Sequence, residues 1–263
     1  MIRGTLILTG REGPDSDQTI ETHADRLRDR NVADSVVVER YDELGGVDSL
    51  GDGAELDGEE TYVMPVSIAQ PNRPEPAAPS LATSVPNSAT LCDPIGWSPV
   101  VTEIIADRAA EHIEPAADAS LVLVGLGSSW LPHQRQVLEY HETRLTERTA
   151  YDEVTSSYLL QDPPVECARY NVSNERMIAV PVFLAPSAAT REEIPNKLGL
   201  GRDGVAYAEP IGTHPRLTDA IHAEVMKQHV LEAECAGPES ATIEGWLDGP
   251  KLAEATDSRG SST

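Results

Sequence analysis

The sequence predicts an α/β protein of two tandem domains, each a small parallel sheet with helices on both faces. Short apolar segments alternate with polar, helix-compatible segments along most of the 263 residues, which is typical of a parallel sheet covered by helices. The same order of segments also occurs twice. Hydrophobic residues make up 40% of the chain, so a sizeable core is expected, built mainly from Val, Ile, Leu and Ala.

The predicted elements follow one another in the same order in each half. An apolar strand leads into a Gly turn and a helix. A second strand, a third that ends in Pro-rich sequence and a short fourth before a Pro-Ile-Gly turn come next. The last helix begins near a proline, a favoured first-turn residue. In the first half, the first strand is predicted at 5–10, the helix at 16–30, the second strand at 35–41, the third strand at 61–71 and the last helix near Pro99. The corresponding segments of the second half are 120–125, 132–150, 154–160, 177–186 and the helix near Pro215.

An internal repeat underlies this regularity. Three pairs of segments align in the same order at a spacing of 115–116 residues, and the longest pair has six identities in fifteen positions. The pairs are 5–10 with 120–125, 62–69 with 178–185, and 91–105 with 207–221. We therefore predict a duplication, with a degenerate first domain at 1–114, its repeat at 115–232 and a partly disordered C-terminal extension at 233–263.

Two segments of the first half depart from the pattern. Residues 45–60 are rich in Gly and acidic residues and are expected to form a solvated loop. Residues 70–88 are rich in Pro and Ser, whereas their counterpart in the second half is compatible with a short helix.

The charge balance excludes some partners. The chain carries 44 acidic and 20 basic residues, for a formal net charge of −24. Nucleic acids and anionic membranes both require a basic surface, so neither is expected as a partner. The favoured interpretation is a surface adapted to high salt, where counterions screen the self-repulsion. The alternative is an acidic face that attracts a cationic partner.

The cysteines and the N-terminus indicate a cytoplasmic protein. Cys92, Cys167 and Cys235 lie far apart without a metal-ligand spacing, so buried free thiols in a reducing compartment are expected. The opening residues MIRGTLILTG predict a strand and are too short for a signal sequence. No apolar run approaches the ~18 residues that a membrane span needs.

Three turns of the second half follow predicted strands, where ligands of parallel sheets bind. They are GLGSS (125–129), LAPSAATREEIP (184–195) and EPIGTHP (209–215). With the preceding PVFL (181–184), they resemble the class II chelatases, and more closely the sirohydrochlorin cobaltochelatases and related ferrochelatases. That family shows a strand before His-Gly-Ser, a Pro-x-Phe-Leu stretch ending Gly-x-His-x-x-x-Asp-Ile-Pro, and Pro-Leu-Gly-x-His-Pro. The resemblance covers most of the second half and reaches the first mainly through the repeat.

The resemblance implies two flavodoxin-like, chelatase-like domains with a tetrapyrrole cleft between them. It also implies a lyase of cobalamin or siroheme biosynthesis that has no tightly bound cofactor. Such an enzyme inserts Co(II) or Fe(II) as the substrate metal into sirohydrochlorin. In the family two histidines serve as metal ligand and proton acceptor, which suits imidazole. The corresponding residues here are Leu126 and Ala189, and positions near Arg11 and Arg73 in the first half, so neither half keeps the pair.

Other residues are candidates for the missing roles. His214 is a candidate catalytic residue and metal ligand, or else a hydrogen-bonding residue of its turn. Glu209 and Glu193 are candidate proton acceptors, or else a turn cap and a helix N-terminal carboxylate. Arginines suit the carboxylates of the substrate, and a helix start can bind an anion or be simply capped. The candidate substrate-binding residues are Gly125, Gly127, Ser128, Ser129, Ser187, Arg191, Arg11 and Arg73.

Four further histidines are interpreted as surface residues: His133, His141, His222 and His229.

Three hypotheses for the function stay open. The chain is an active chelatase with alternative groups, or a non-catalytic paralogue that binds a tetrapyrrole or a partner chelatase. In the third hypothesis it is a duplicated α/β scaffold that acts through protein contacts alone.

Overall fold

The computed structural model describes residues 2–11, 14–41, 60–69, 89–128, 132–200 and 205–235. The strands of these ranges are β1 Ile2–Arg11, β2 Ala33–Tyr41, β3 Glu60–Pro65, β4 Ala89–Leu91, β5 Ala119–Gly125, β6 Glu153–Tyr158, β7 Arg176–Pro181 and β8 Val205–Tyr207. The α-helices are α1 Pro14–Asp29, α2 Pro99–Ala110, α3 His133–Arg148, α4 Ile194–Leu198 and α5 Leu217–Cys235. Three short 3₁₀ helices also occur, at Ile95–Trp97, Val165–Tyr170 and Ile211–Thr213.

The strands form two parallel sheets of the same topology. The strand order is β2-β1-β3-β4 in the first sheet and β6-β5-β7-β8 in the second, and all pairs are parallel. The predicted α/β class, with a small parallel sheet in each half, is therefore confirmed. In each half the order of the strands reverses between two central neighbours. These are β1 and β3 in the first sheet and β5 and β7 in the second. The crevice at this switch point, at the carboxyl ends of the strands, is where such sheets bind ligands.

Burial explains why the central strands β5 and β7 are mostly apolar. All seven residues of β5 are buried, as are the last five residues of β7. A strand that is covered by helices on both faces has no solvent side on which polar residues would alternate.

The last helix of each half begins close to the predicted proline. Pro99 is the first residue of α2, and the hydroxyl of Ser98 accepts a hydrogen bond from the Val100 N–H. Helix α5 begins at Leu217, two residues after Pro215. Proline fits the first turn because the N–H that it lacks has no partner there.

The two halves share one hydrophobic core. Its largest cluster contains residues from both sheets and from helices α1, α2 and α5. Helix α2 packs against α3 and α5, and α1 packs against α5. A second, smaller cluster lies within the second half, around Val122 and Val124. The largest cluster is therefore continuous across the two halves.

Two buried histidines join the halves through reciprocal hydrogen bonds. His23 Nε2 lies 2.8 Å from the Gly212 carbonyl oxygen, and its Nδ1 lies 2.8 Å from Thr218 Oγ1. His141 makes the same contacts with Gly96 and Thr102, at 2.7 and 2.8 Å. Because a carbonyl oxygen only accepts, each Nε2 carries the proton, and each neutral Nδ1 accepts from a threonine hydroxyl.

The interpretation of His141 as a surface residue is therefore wrong, since it is fully buried. His133 is half-buried with an unpartnered Nδ1. Nδ1 of His229 lies 3.0 Å from the Tyr62 hydroxyl, within hydrogen-bond distance.

Of the cysteines, Cys92 is buried as expected whereas Cys167 is exposed.

No helix in the described ranges is long and apolar enough to cross a membrane. Several predictions lie outside the described residues. They concern the predicted loop at 45–60 except Glu60, which begins β3, the Pro- and Ser-rich segment 70–88, the side chain of Cys235 and the extension beyond 235.

Candidate functional site

A cavity lies where the two halves meet, beside the switch-point ends of the strands. Its volume is about 240 Å³. One wall is the start of α1, which follows β1, and the other comes from the segments after β7 and β8. The lining residues are Asp15, Gln18, Thr19, Thr22, His23, Pro186, Arg191, Gly212 and Thr213.

One face of α1 turns toward the second half. Asp15, Thr19 and His23 are spaced four residues apart, so they stack on the same side of the helix. His23 fixes this face by its hydrogen bond to the Gly212 carbonyl. Burial is the main cause that lowers the pKa of His23, so the ring is neutral at pH 7 and keeps a single donor for that carbonyl.

The opposite wall is a turn of π-helix at Ala189–Glu193 that presents Arg191. Ser187 starts this turn, because its N–H donates to Thr190 Oγ1 at 2.8 Å and its carbonyl accepts from the Arg191 N–H at 2.9 Å. The Tyr207 hydroxyl donates to the Thr190 carbonyl at 2.8 Å and ties the turn to β8. Ser187 therefore positions Arg191 through backbone contacts.

Arg191 reaches across the cavity to the first half. Its Nη1 and Nη2 donate to the two carboxylate oxygens of Asp15 at 2.8 and 2.6 Å. This is the parallel, two-bond geometry in which guanidinium recognises carboxylates. The hydrogen bonds from Arg191 lower the pKa of Asp15, so the pair is ionised.

The glycine turn after β5 is occupied by the chain itself. Gly127 has a φ of 73°, a conformation that favours glycine. Its N–H donates to Gln134 Oε1 at 3.0 Å, and the Ser128 N–H donates to Gln161 Oε1 at 3.2 Å. Side-chain amides thus accept from these two backbone N–H groups, of which the Ser128 N–H belongs to the helix start that was considered as either an anion site or a capped end.

Leu126 and Ala189, which the resemblance aligns with the family's histidines, both contact apolar residues. They are partly buried and pack against the smaller cluster that includes Val124 and Ile194. Both side chains therefore contribute to packing in the second half, and neither can bind a metal or accept a proton.

His214 lies in the contact between the halves, where its side chain is 13% exposed. Its Nδ1 accepts from the Arg216 N–H at 3.3 Å, and its Nε2 is 4.0 Å from an Asp107 carboxylate oxygen. Arg216 also pairs with Glu103 and Asp107 of α2. Burial, and next the charge of Arg108, lower the pKa of His214. These contacts commit Nδ1 to the turn and place an arginine beside the ring.

Glu209 and Glu193 are held by different cations. A Glu209 carboxylate oxygen lies 3.8 Å from Arg108 Nη2, which also donates to Thr213 Oγ1 at 2.7 Å. Glu193 lies 3.6 Å from Lys197 Nζ and is half exposed. Arg108 therefore brings Glu209 close to the Thr213 wall, while Lys197 holds Glu193 elsewhere on the surface.

The described residues contain no group of three or more His, Cys, Asp or Glu side chains that could hold a metal ion. Of the predicted site residues, Arg191 lines the cavity, Ser187 supports it and His214 adjoins it in sequence. Gly125 is the last residue of β5. It lies with Gly127 and Ser128 at the glycine turn, and none of the three is part of the cavity lining. Ser129 and Arg73 lie outside the described residues, as does the side chain of Arg11.

The sequence analysis missed Asp15, His23 and the role of His141. A signal for both histidines is present, since QTIETHADRL (18–27) and QVLEYHETRL (136–145) share Gln, Glu, His, Arg and Leu at an offset of 118 residues. Asp15 has no such signal, because its ion pair joins residues 176 positions apart.

Comparisons with known proteins agree with this architecture. A family model described as CbiX matches residues 120–228. A probable sirohydrochlorin cobaltochelatase of Halobacterium salinarum is 22% identical over 250 residues, covering 79% of this chain and 85% of the relative. The sirohydrochlorin cobaltochelatase of Methanopyrus kandleri is 30% identical over 131 residues, or 39% of this chain and 91% of the relative. SirB from Bacillus subtilis, solved with Fe³⁺, shares the fold with a TM-score of 0.66 at 17% identity, over 89% of this chain and 98% of SirB.

Proposed function

The chain belongs to the CbiX family of class II chelatases, and from this premise we propose that it has a sirohydrochlorin chelatase-like function. It binds a sirohydrochlorin-like tetrapyrrole in the cleft between its halves. A divalent metal, Co(II) or Fe(II), is the second substrate and replaces two pyrrole N–H protons.

The observation that carries the proposal is the position of Arg191. It lines a cavity that both halves share, at the carboxyl ends of the strands, where parallel sheets bind ligands. Sirohydrochlorin is rich in carboxylates, and a guanidinium binds a carboxylate through two parallel hydrogen bonds. Because the chain carries a net charge of −24, an arginine in this cavity is a specific indication of a carboxylate ligand.

The size of the cavity limits what it can hold. A volume of about 240 Å³ lies below the range of pockets that enclose a drug-sized ligand. The described cavity therefore holds one carboxylate arm of the tetrapyrrole, next to Arg191, rather than the whole macrocycle.

The experiment is a titration of the purified protein with sirohydrochlorin in multimolar KCl, followed by absorbance, and then the addition of Co(II). Saturable binding and conversion faster than that of free sirohydrochlorin support the proposal. An Arg191→Gln variant should bind more weakly, whereas Arg135→Gln, which loses a surface pair with Glu139, is the matched control. Absence of saturable binding to the natural chain would overturn the proposal.

A second candidate function is binding without metal insertion, as in a paralogue that has lost its catalytic groups or assists a partner chelatase. The apolar packing of Leu126 and Ala189 favours it, as does the arginine beside His214, because a neighbouring cation opposes metal binding. In the same experiment this candidate predicts a bound spectrum that acquires Co(II) no faster than the free ligand.

A further inference from the structure

We infer that Asp15 is an internal competitor for the carboxylate site of Arg191, so that a ligand carboxylate binds the two terminal nitrogens end-on only by displacing the Asp15 carboxylate. Asp15 is thereby a specificity-determining residue of the cavity. This inference rests on the proposed function and adds to it a named group that weakens carboxylate binding.

The geometry of the pair supports the competition. Both terminal nitrogens of Arg191 are used by Asp15, at 2.6 and 2.8 Å. A ligand carboxylate that binds end-on, in the same two-bond geometry, needs the same two N–H groups. Asp15 and such a ligand therefore exclude each other at this end of the guanidinium.

Asp15 is held in place independently of Arg191. It lies two turns before His23 on the same face of α1, and His23 is anchored to the second half through Gly212 and Thr218. The Asp15 carbonyl also accepts from Thr19 Oγ1 at 2.8 Å. The helix thus presents the carboxylate to the cavity whether or not Arg191 points toward it.

The pair is exposed enough to exchange. The side chains of Arg191 and Asp15 are 56% and 35% exposed, and ion pairs of this kind contribute little net stability. Displacement by a multivalent ligand therefore costs little, whereas the two halves stay joined by the buried histidine contacts.

The test is a titration with sirohydrochlorin at one fixed KCl concentration. The variants are Asp15→Asn, Arg191→Gln and the double variant. The matched control is Asp118→Asn, which removes one acidic charge from an exposed pair with Arg176 at 2.8 Å and lies outside the cavity lining. Thermal unfolding of each variant is measured alongside, because a purely structural role of Asp15 would change stability without tightening binding.

We expect Asp15→Asn to tighten binding about two- to fivefold, as the release of an exposed ion pair allows, while Asp118→Asn changes it less. Arg191→Gln should weaken binding about tenfold through the loss of charged hydrogen bonds. In the Arg191→Gln background, Asp15→Asn should have little further effect, because no guanidinium remains to be released.

The inference is overturned if Asp15→Asn binds no better than Asp118→Asn, or if its gain persists undiminished without Arg191. Those results would leave the proposed function intact, since the natural chain would still bind. If neither the natural chain nor any variant binds sirohydrochlorin, the proposed function fails and the inference fails with it.

Discussion

At the scale of single residues, the two buried histidines make the joined state sensitive to acid. Burial lowers the pKa of His141 from 6.5 to about 4 and also lowers that of His23. The cations nearby, Arg144 and Arg26, act in the same direction. The folded state therefore binds fewer protons than the unfolded state at mildly acidic pH.

The sign of the pH effect follows from these shifts. The stability that the neutral histidines contribute is fully present above pH 6.5 and is lost as the pH falls toward 4. At about 1.4 kcal/mol for each unit of pKa difference, His141 contributes on the order of 3 kcal/mol of this loss. We expect the chemical unfolding midpoint at fixed salt to decrease over this interval.

The variant His23→Gln/His141→Gln should show a shallower decrease, because glutamine keeps an N–H donor but does not titrate. Some slope remains, since the pKa values of His214 and His222 are also lowered. Equal slopes for the natural chain and this variant would contradict the prediction.

At the scale of elements, the Pro-Ile-Gly turns need glycine because two backbone segments approach closely. A Cβ at Gly212 would lie 1.8 Å from the Leu184 carbonyl oxygen, and one at Gly96 would lie 1.8 Å from that of Ile68. Each turn also supplies the carbonyl that a histidine of the other half binds. The turn thus both packs against its own half and holds the opposite one.

Gly212→Ala should destabilise the chain by about 1–3 kcal/mol, since an overpacked site must move backbone. The control is Gly10→Ala, whose Cβ would meet Ile20 Cδ1 at 1.9 Å. That atom ends a flexible side chain, so a smaller loss is expected. Thermal and chemical unfolding measure both variants, and equal losses would argue against the backbone explanation.

Much of the element order could be predicted because it depends on local patterns. Periodic apolar runs and the Pro-Ile-Gly repeat located the strands and the starts of α2 and α5. The contact between Arg191 and Asp15 could not be predicted, because it depends on how α1 of one half meets the segment after β7 of the other. His141 was misjudged for the same reason, since a polar residue on a polar-looking helix is buried only by its contact with α2.

At the scale of the whole molecule, net charge and ion pairs oppose each other in their response to salt. The formal charge of −24 produces repulsion that salt screens, whereas exposed ion pairs such as Arg191–Asp15 and Arg176–Asp118 are weakened by salt. Exposed pairs contribute little, so the repulsion should dominate.

We therefore expect the unfolding temperature to rise as KCl is increased into the multimolar range. The measurement is thermal unfolding by circular dichroism, with sucrose as an uncharged control for general solvent effects. A falling unfolding temperature would mean that the ion pairs dominate instead.

The reciprocal histidine contacts lead to a prediction for the second half alone. A chain of residues 115–235 keeps His141, Gly212 and Thr218, but it lacks Gly96 and Thr102, with which His141 bonds in the intact chain. In a symmetric dimer of this fragment, His141 of each copy would bond Gly212 and Thr218 of the other, as His23 does here. Such an interface would also cover the apolar residues of α5 that now face the first half.

We expect this fragment to be a dimer by sedimentation at micromolar concentration. His141→Ala should shift it toward monomer, because it leaves the Gly212 carbonyl of the other copy without its donor. His133→Ala, on the same helix but without a hydrogen bond at its Nδ1, is the control and should leave the dimer unchanged. A folded, monodisperse monomer would show that the second half can bury its core without a partner. The histidine contacts would then form only because the two halves are covalently linked in one chain.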